Sequence, residues 1–321
     1  MDYSMSSTNL ANNPPLFSVI IPAFNSMAYI GDAIRSVITQ HYKNWELLIV
    51  DDGSTDDTGR IAAEFASTDA RISLITQENA GTAAARNRAL QDASGKWIAF
   101  LDSDDELLPN CLAEYERFIS AHPGTDIFSC NAHLVEQSGR RRSAFRGSHS
   151  SQEHSVTIAQ ALWSNPIMLP GAVVSRESME YVKGFRAGAY NEDYDLWLRL
   201  LLAGYTHRYN PETLVLHKSV PGSKTKSYDK AVASSIEILE SLDAEALETS
   251  GVIKEWTAAL SGWKRCLPIA EMQTRVVQGN RRAALQILHR NKQHLEWTRV
   301  NLARYVAVVM LFPLYRRWLQ R

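Results

Sequence analysis

Several things are scarce in this chain, and each scarcity removes a class of protein. Three cysteines, Cys111, Cys130 and Cys266, are odd in number, far apart and without a Cys-x-x-Cys pair. That excludes a disulfide framework and a cysteine-based zinc site, and it fits a reducing compartment. The nine histidines form no ligand grouping with them. Net charge is −1, so nothing global points to a nucleic-acid partner. The apolar run at residues 305–315 is 11 long, short of the ~20 residues of a membrane span. Residues 1–15 are rich in Ser and Asn and lack the apolar core of a signal peptide, so they read as a flexible leader. No Gly-x-Gly-x-x-Gly follows the first strand and no Gly-x-x-x-x-Gly-Lys-Ser/Thr occurs, which disfavours a dinucleotide fold and a P-loop. What is present, 45% hydrophobic and 21% charged over 321 residues, is the balance of a globular protein with a sizeable core.

Residues 97–109 read Trp-Ile-Ala-Phe-Leu-Asp-Ser-Asp-Asp-Glu-Leu-Leu-Pro. Five apolar residues without alternation predict a strand buried on both faces, and the acids after it predict an end that opens on a polar site. In an extended segment Asp102 and Asp104 point one way and Ser103 the other. Carboxylates held side by side repel, and a hard divalent cation with oxygen ligands relieves the repulsion. The plain alternative is an acidic helix start suited to the helix dipole, which Asp105 and Glu106 fit well.

The preceding pattern alternates strand and helix. Residues 17–21 predict a strand stopped by Pro22, 27–40 an amphipathic helix, and 45–50 a second strand that runs into Asp51 and Asp52. Ser54, with Asp57 three residues on, has the form of a capping box and places a helix from there to about residue 66. Residues 72–75 predict a third strand, 81–93 a third helix and 97–101 the fourth strand. Such alternation implies parallel pairing through crossover helices, with ligands beyond the carboxyl ends of the strands. That rule collects Pro22, Ala23, Phe24 and Asn25, then Asp51 and Asp52, then Asn79, then Asp102, Ser103 and Asp104. An aromatic, several carboxylates and a metal site suit a nucleoside diphosphate, with its base near the first two strand ends.

Four segments carry a family resemblance. Phe-Ser-Val-Ile-Ile-Pro-Ala-Phe-Asn, Leu-Leu-Ile-Val-Asp-Asp-Gly-Ser-Thr-Asp-Asp-Thr, Asn-Ala-Gly-Thr-Ala-Ala-Ala-Arg-Asn-Arg-Ala-Leu and Leu-Asp-Ser-Asp-Asp resemble the N-terminal half of family 2 glycosyltransferases. The resemblance implies the GT-A fold: α/β, with a mostly parallel Rossmann-like central sheet flanked by helices, here followed by a helical C-terminal extension. It implies a nucleotide-sugar donor and Mn2+ or Mg2+ as cofactor. On it Phe24 stacks near the base among Pro22, Ala23 and Asn25, and Asp52 accepts from base or ribose. Arg86 lies near the nucleotide, Asp102 and Ser103 lie at its ribose, and Asp104, with Asp102 beside it, binds the metal. Of Arg86 and Arg88, one faces solvent easily, and Arg86 is assigned the functional part.

Further on, residues 113–121 predict a helix and 127–135 a strand, while the Arg- and His-bearing stretch 138–155 reads as an exposed, solvated loop. Leu196, Trp197, Leu200 and Leu201 mark a buried helix face, with Glu192 and Asp193 at its start. As plain acids they complement the helix dipole. By the resemblance Asp193, with Glu192 beside it, is the base that deprotonates an acceptor hydroxyl. Residues 214–226 resemble the family's segment over the diphosphate, but Lys218 and Val220 stand where an arginine and a histidine are usual. Diphosphate contact is then left to Lys218, Lys224 or Lys226. From residue 229 the pattern is helical. After Glu296 no acid occurs, while Arg299, Arg304, Arg316, Arg317 and Arg321 flank residues 305–315. Two readings stay open there: a helix in a membrane interface, or one packed on the catalytic domain or a second subunit, as in a homo-oligomer.

The expected layout is a leader at 1–15, a catalytic domain at 16–228 and a helical region at 229–321. Within the catalytic domain, 16–110 forms the nucleotide-sugar half and 111–228 the acceptor half. The implied function is metal-dependent, inverting transfer of one sugar, from a UDP-sugar by family habit, to a saccharide or lipid-linked saccharide. It would serve surface polysaccharide synthesis in the cytoplasm, or at the inner face of the cell membrane. No Gln-x-x-Arg-Trp follows the base, in keeping with single transfer. A sugar-phosphate nucleotidyltransferase needs a Gly-rich, basic loop after the first strand, and residues 22–26 lack it. A non-catalytic nucleotide-sugar-binding scaffold is the remaining alternative.

Overall fold

The computed structural model describes residues 15–136, 139–143, 152–220 and 227–291. Residues 1–14 of the expected leader, Lys224, Lys226 and the apolar run at 305–315 lie outside the described residues. Two compact units divide the chain. One holds Met1–Thr157, Asn165–Gly188 and Asp195–Val220; the other holds Ile158–Ser164, Ala189–Tyr194 and Pro221–Arg321.

The first unit begins β1 (Phe17–Ala23), α1 (Ile30–Ile38), β2 (Trp45–Asp51), α2 (Thr58–Thr68), β3 (Ile72–Thr76), α3 (Thr82–Asp92) and β4 (Trp97–Phe100). β1 lies between β2 and β4, parallel to both, and β3 pairs parallel with β2. One face of this sheet buries Val19, Ile21, Leu47 and Ile49 with Ile30, Ile34 and Val37, the helical stripe of α1. Each such side chain contributes about 1.5–3 kcal/mol of burial. Because all four strands run the same way, their carboxyl ends open on one edge.

After β4 come β5 (Glu106–Leu107), α4 (Cys111–Ala121), β6 (Ile127–Val135) and β7 (Arg141–Ser143). α5 (Ile158–Ala161) belongs to the second unit, and the first resumes with β8 (Val173–Ser175), α6 (Arg176–Tyr181), α7 (Glu192–Leu202) from Asp195 onward, and β9 (His207–Lys218). The sheet order is β3-β2-β1-β4-β8-β6-β9-β5, with β7 beside β6. The second half of the sheet mixes directions: β8 is antiparallel to β4 and β6, whereas β9 is parallel to β6.

Local expectations are corrected at four places. Pro22 does not stop β1, because pairing with β2 continues through Pro22 and Ala23, opposite Val50 and Asp51, while the β4 register has already ended at Ile20. Ser54 does not cap α2. Its N–H is taken by Asp51 Oδ1 (3.0 Å), and Asp56 Oδ1 accepts from the N–H of Thr58 (3.0 Å) instead. The stretch after residue 138 is not all loop, since β7 pairs antiparallel with β6. No helix starts at Asp105 or Glu106; Glu106 and Leu107 form β5, antiparallel to β9.

His207, at the start of β9, is buried; its Nε2 donates to Ser129 Oγ (2.8 Å) and its Nδ1 accepts from Val156 N–H (3.1 Å). Burial, with help from His154 and Arg208, pushes its pKa down to about 3. The unfolded chain therefore takes up this proton first as pH falls, so the stability it contributes is complete above the unfolded value near 6.5 and drains away toward 3. Urea denaturation at pH 6.5 and 4.5 is expected to show a loss of about 2–3 kcal/mol assignable to this group. His207→Gln should remove that part of the difference.

In the second unit, α8 (Tyr228–Glu240), α9 (Ala244–Thr249), α10 (Ile253–Val277) and α11 (Arg281–Arg290) form the expected helical extension. Two earlier segments join them through hydrogen bonds. Tyr194 Oη donates to the carbonyls of Ala161 and Leu162 (2.9 and 3.0 Å), Trp263 Nε1 to that of Leu162 (3.0 Å), and Asn191 Nδ2 to that of Ala231 (2.8 Å). Met272, Val276, Ala284 and Leu288 close the core between α10 and α11. Among the described residues no helix is long and apolar enough to cross a membrane.

Candidate active site

The edge at the carboxyl ends of β1 to β4 is built from two turns that hold each other. After β1 the chain turns through Asn25 at φ 48°, a left-handed conformation that Asn tolerates better than most residues. Its N–H donates to Ser54 Oγ (3.0 Å) and its Oδ1 accepts from Thr55 N–H (2.8 Å). Thr58 Oγ1 accepts from Ser26 N–H (2.7 Å). Phe24 and Met27, on either side, are 49% and 54% exposed.

Asp52 is buried and accepts three hydrogen bonds, from Gln77 Nε2 (2.7 Å), Ala80 N–H (2.9 Å) and Gly81 N–H (2.8 Å). It thus fixes the loop that leads into α3. Gly53, at φ 75°, is required there: a Cβ would lie 2.8 Å from the backbone nitrogen of Asn79.

Beyond β4 the acids gather in a turn, not along an extended strand. Asp105 N–H donates to the carbonyl of Asp102 (3.1 Å), and carboxylate oxygens of Asp102, Asp104 and Asp105 lie within 4.8 Å of one another. Their environments differ. Asp102 Oδ1 receives Arg86 Nη2 (2.7 Å); the Arg86 side chain is 3% exposed, and its guanidinium carbon sits 5.3 Å from the centre of the Phe185 ring. Asp105 is wholly buried, with His217 Nδ1 on Oδ2 (2.9 Å) and Lys218 N–H on Oδ1 (2.8 Å). Burial lowers the His217 pKa, but the hydrogen bond and charge of Asp105, then Asp102 and Asp104, outweigh it and push it up to about 9. The ring is therefore charged at neutral pH. Asp104 is pushed up to about 6 by burial and then by its two neighbours. Clustered hard oxygen donors at which a second carboxylate ionises only reluctantly are the donor set that a divalent cation fits.

Residues 18–178 match the family model described as glycosyl transferase family 2. The chain belongs to glycosyl transferase family 2. Among its relatives is TuaG of Bacillus subtilis (strain 168), a glycosyltransferase named for teichuronic acid biosynthesis, 33% identical over 69% of this chain and 86% of that one. The glucosyltransferase WfgD of Escherichia coli is 51% identical over 98 residues, 30% of this chain and 38% of the relative; its name gives UDP-Glc as donor and alpha-D-GlcNAc-diphosphoundecaprenol as acceptor. The solved mannosyltransferase PcManGT of Pyrobaculum calidifontis, in complex with GDP-Man and Mn2+, aligns with a TM-score of 0.62 at 20% identity, covering 96% of this chain and 84% of that one. The expected GT-A fold is thus the fold of this transferase.

Within this family 2 transferase, the structure places Pro22, Ala23, Phe24, Asn25, Asp52, Asp102, Ser103 and Asp104 along the carboxyl edge of the parallel strands β1 to β4, and Arg86 against Asp102. Asp105, which the sequence assigned to a helix start, is instead the buried partner of His217. The Lys218 ammonium is given to Glu106 and to Asp32 (3.8 Å), so it reaches a diphosphate only by leaving them. Glu192 and Asp193 do open α7, as expected, in the second unit's share of that helix. Asp193 Oδ1 accepts from Tyr194 N–H (2.8 Å).

Three supporting residues escaped the sequence reading. Asn87 grips the backbone of Phe185 with both ends of its amide (2.7 and 2.8 Å). Arg199 donates to the carbonyls of Val182 and Gly184 (2.8 Å each) and pairs with buried Asp195 (2.7 Å). Phe185 is thereby held where its ring meets Arg86 and, edge-on, Phe100. Only the Asp195 and Arg199 pair, four apart on a helix, left a readable trace.

Arg86→Met should leave Asp102 without its guanidinium. Breaking a fully buried pair costs about 3–5 kcal/mol, but the Asp102 side chain is 32% exposed. A loss of about 2 kcal/mol in urea denaturation is expected, because water screens what Arg86 no longer does.

Proposed function

We propose that this transferase moves one sugar from a nucleoside-diphosphate sugar, with UDP as the nucleotide, to an acceptor hydroxyl, with inversion at the anomeric carbon. The observation that carries the reading is the turn after β4, where three carboxylates crowd and Asp104 is pushed up to about 6. Asp104 and Asp102 would hold Mn2+ or Mg2+. Bound there, the cation would supply positive charge to the departing nucleoside diphosphate.

The chain's own residues do the rest. Half-exposed Phe24 offers a face on which a base stacks, and buried Asp52, already holding Gln77, Ala80 and Gly81, would accept from base or ribose through the lone pair left on Oδ2. Arg86 holds Asp102 toward the ribose, with Ser103 next to it. Asp193 takes the proton from the acceptor hydroxyl, and Glu192 shares the helix start with it. Lys218 and Lys224 are the candidate diphosphate contacts. The names of two relatives, one for teichuronic acid and one for transfer to a diphosphoundecaprenol-linked sugar, support a saccharide or lipid-linked saccharide acceptor and a role in polysaccharide synthesis. A solved neighbour with GDP-Man and Mn2+ supports both donor class and cofactor.

A panel of nucleotide sugars, incubated with Mn2+ or Mg2+ and assayed for released nucleoside diphosphate, tests the reading. Metal-dependent release from one donor is expected. Donor binding by calorimetry with metal present, without release or transfer, would leave the nucleotide-sugar-binding scaffold in its place, and failure of every donor to bind would overturn both readings.

A further inference from the structure

The charge of this chain is divided unevenly along its length. Residues 1–252 carry 21 Lys and Arg against 32 Asp and Glu, whereas residues 253–321 carry 13 against three. Part of that excess lies on α10. Lys254, Ala258, Ser261 and Arg265 recur at intervals of three and four, so they form one stripe, and Thr257 and Lys264 border it. All six are exposed, while Ala259, Ala270, Met272 and Val276 of the same helix are buried. A groove of about 490 Å³ runs along the stripe, lined by Leu260, Lys264, Arg265 and Pro268 and, from the end of α11, by Asn291. Arg281, Arg282 and Arg290 of α11 are exposed as well. Lys264 meets Glu240 at 2.6 Å with both side chains about half exposed, and Glu255 is exposed beside Lys254, so two acids offset part of this charge while Arg265 and the α11 arginines add to it.

We propose that the exposed face of α10, with the groove beside it, is a docking surface for an anionic phospholipid bilayer. Charge complementarity is the argument. Cations dispersed along an open helix face, with Leu260, Ala258 and Pro268 between them, match a surface that offers many phosphates and a shallow apolar layer. A single small anion would call instead for a closed, convergent site. Beyond Asn291 the sequence continues in the same sense, with Lys292 and five arginines around an apolar run and only Glu296 against them.

Flotation of the full chain with vesicles of phosphatidylcholine alone, or of phosphatidylcholine mixed with phosphatidylglycerol, tests this. Binding to the mixed vesicles only is expected, and it should vanish in about 1 M NaCl, where the screening length falls to about 3 Å. Each cation removed should weaken binding about fivefold, so the triple variant Lys254→Gln, Lys264→Gln, Arg265→Gln should lose about a hundredfold. The exchange Lys264→Arg with Arg265→Lys should keep it, and circular dichroism should show both variants folded. Equal binding to neutral vesicles, or a triple variant that binds like the wild type, overturns the proposal. So does complete competition by soluble glycerol phosphate, which would assign a small-anion site. A dimer in light scattering that the triple variant loses, without vesicle binding, would give the face to a second copy.

Discussion

Asp104→Ala is expected to abolish the metal-stimulated release of nucleoside diphosphate, with kcat lowered by at least about 10²–10³, the range for loss of one electrostatic stabiliser of developing charge. Asp102 keeps Arg86 and Asp105 keeps His217 in this variant, so the turn retains its shape while losing the carboxylate most in need of a cation. Stability should move the other way. The folded pKa of Asp104 is raised, to about 6, so its ionised form opposes folding at neutral pH. Removing the carboxylate relieves that, and Tm should rise. In the wild type, Mn2+ affinity measured by calorimetry should weaken by up to tenfold per pH unit below about 6, as protons compete for Asp104. Full turnover in Asp104→Ala would sink the metal assignment.

Asp193→Asn is expected to lower sugar transfer by about 10²–10⁴, the range for loss of a general base, while donor and Mn2+ affinities stay at their wild-type values. The amide keeps a carbonyl oxygen to accept from Tyr194 N–H, so the start of α7 persists, but it cannot take a proton. Titration of donor binding beside a transfer assay separates the two effects. A variant that transfers normally would remove Asp193 from the chemistry, and one that no longer binds donor would make it a structural acid.

What the sequence made legible follows from locality. The parallel strands from β1 to β4 and the helices between them were readable because each rests on apolar spacing within one segment. The acidic cluster was readable as a composition, but its geometry was not. Asp102 and Asp104 approach through a turn closed by Asp105, where alternation along a strand was the expectation. Asp105 itself looked like a helix-start acid because its partner, His217, is 112 residues away. Asn87 and Phe185 are 98 residues apart, and nothing in either neighbourhood announces the other. Lys218 stood in a segment that resembled a phosphate-binding one, yet Glu106 and Asp32 reach its ammonium first.

The mutual bracing of the two turns at the sheet edge also limits how such a protein can diverge. Asn25, Ser54, Thr55, Thr58 and Asp52 each hold a hydrogen bond across the edge, and Gly53 has no room for a side chain, so a change at any of them disturbs its neighbours. Phe24 and Met27 project from the same edge into solvent, and their side chains can be exchanged without breaking any of those bonds. Inherited variation would then accumulate at positions 24 and 27, on a frame that stays fixed, and under the proposed role of Phe24 a drift in base preference would be read first at position 24.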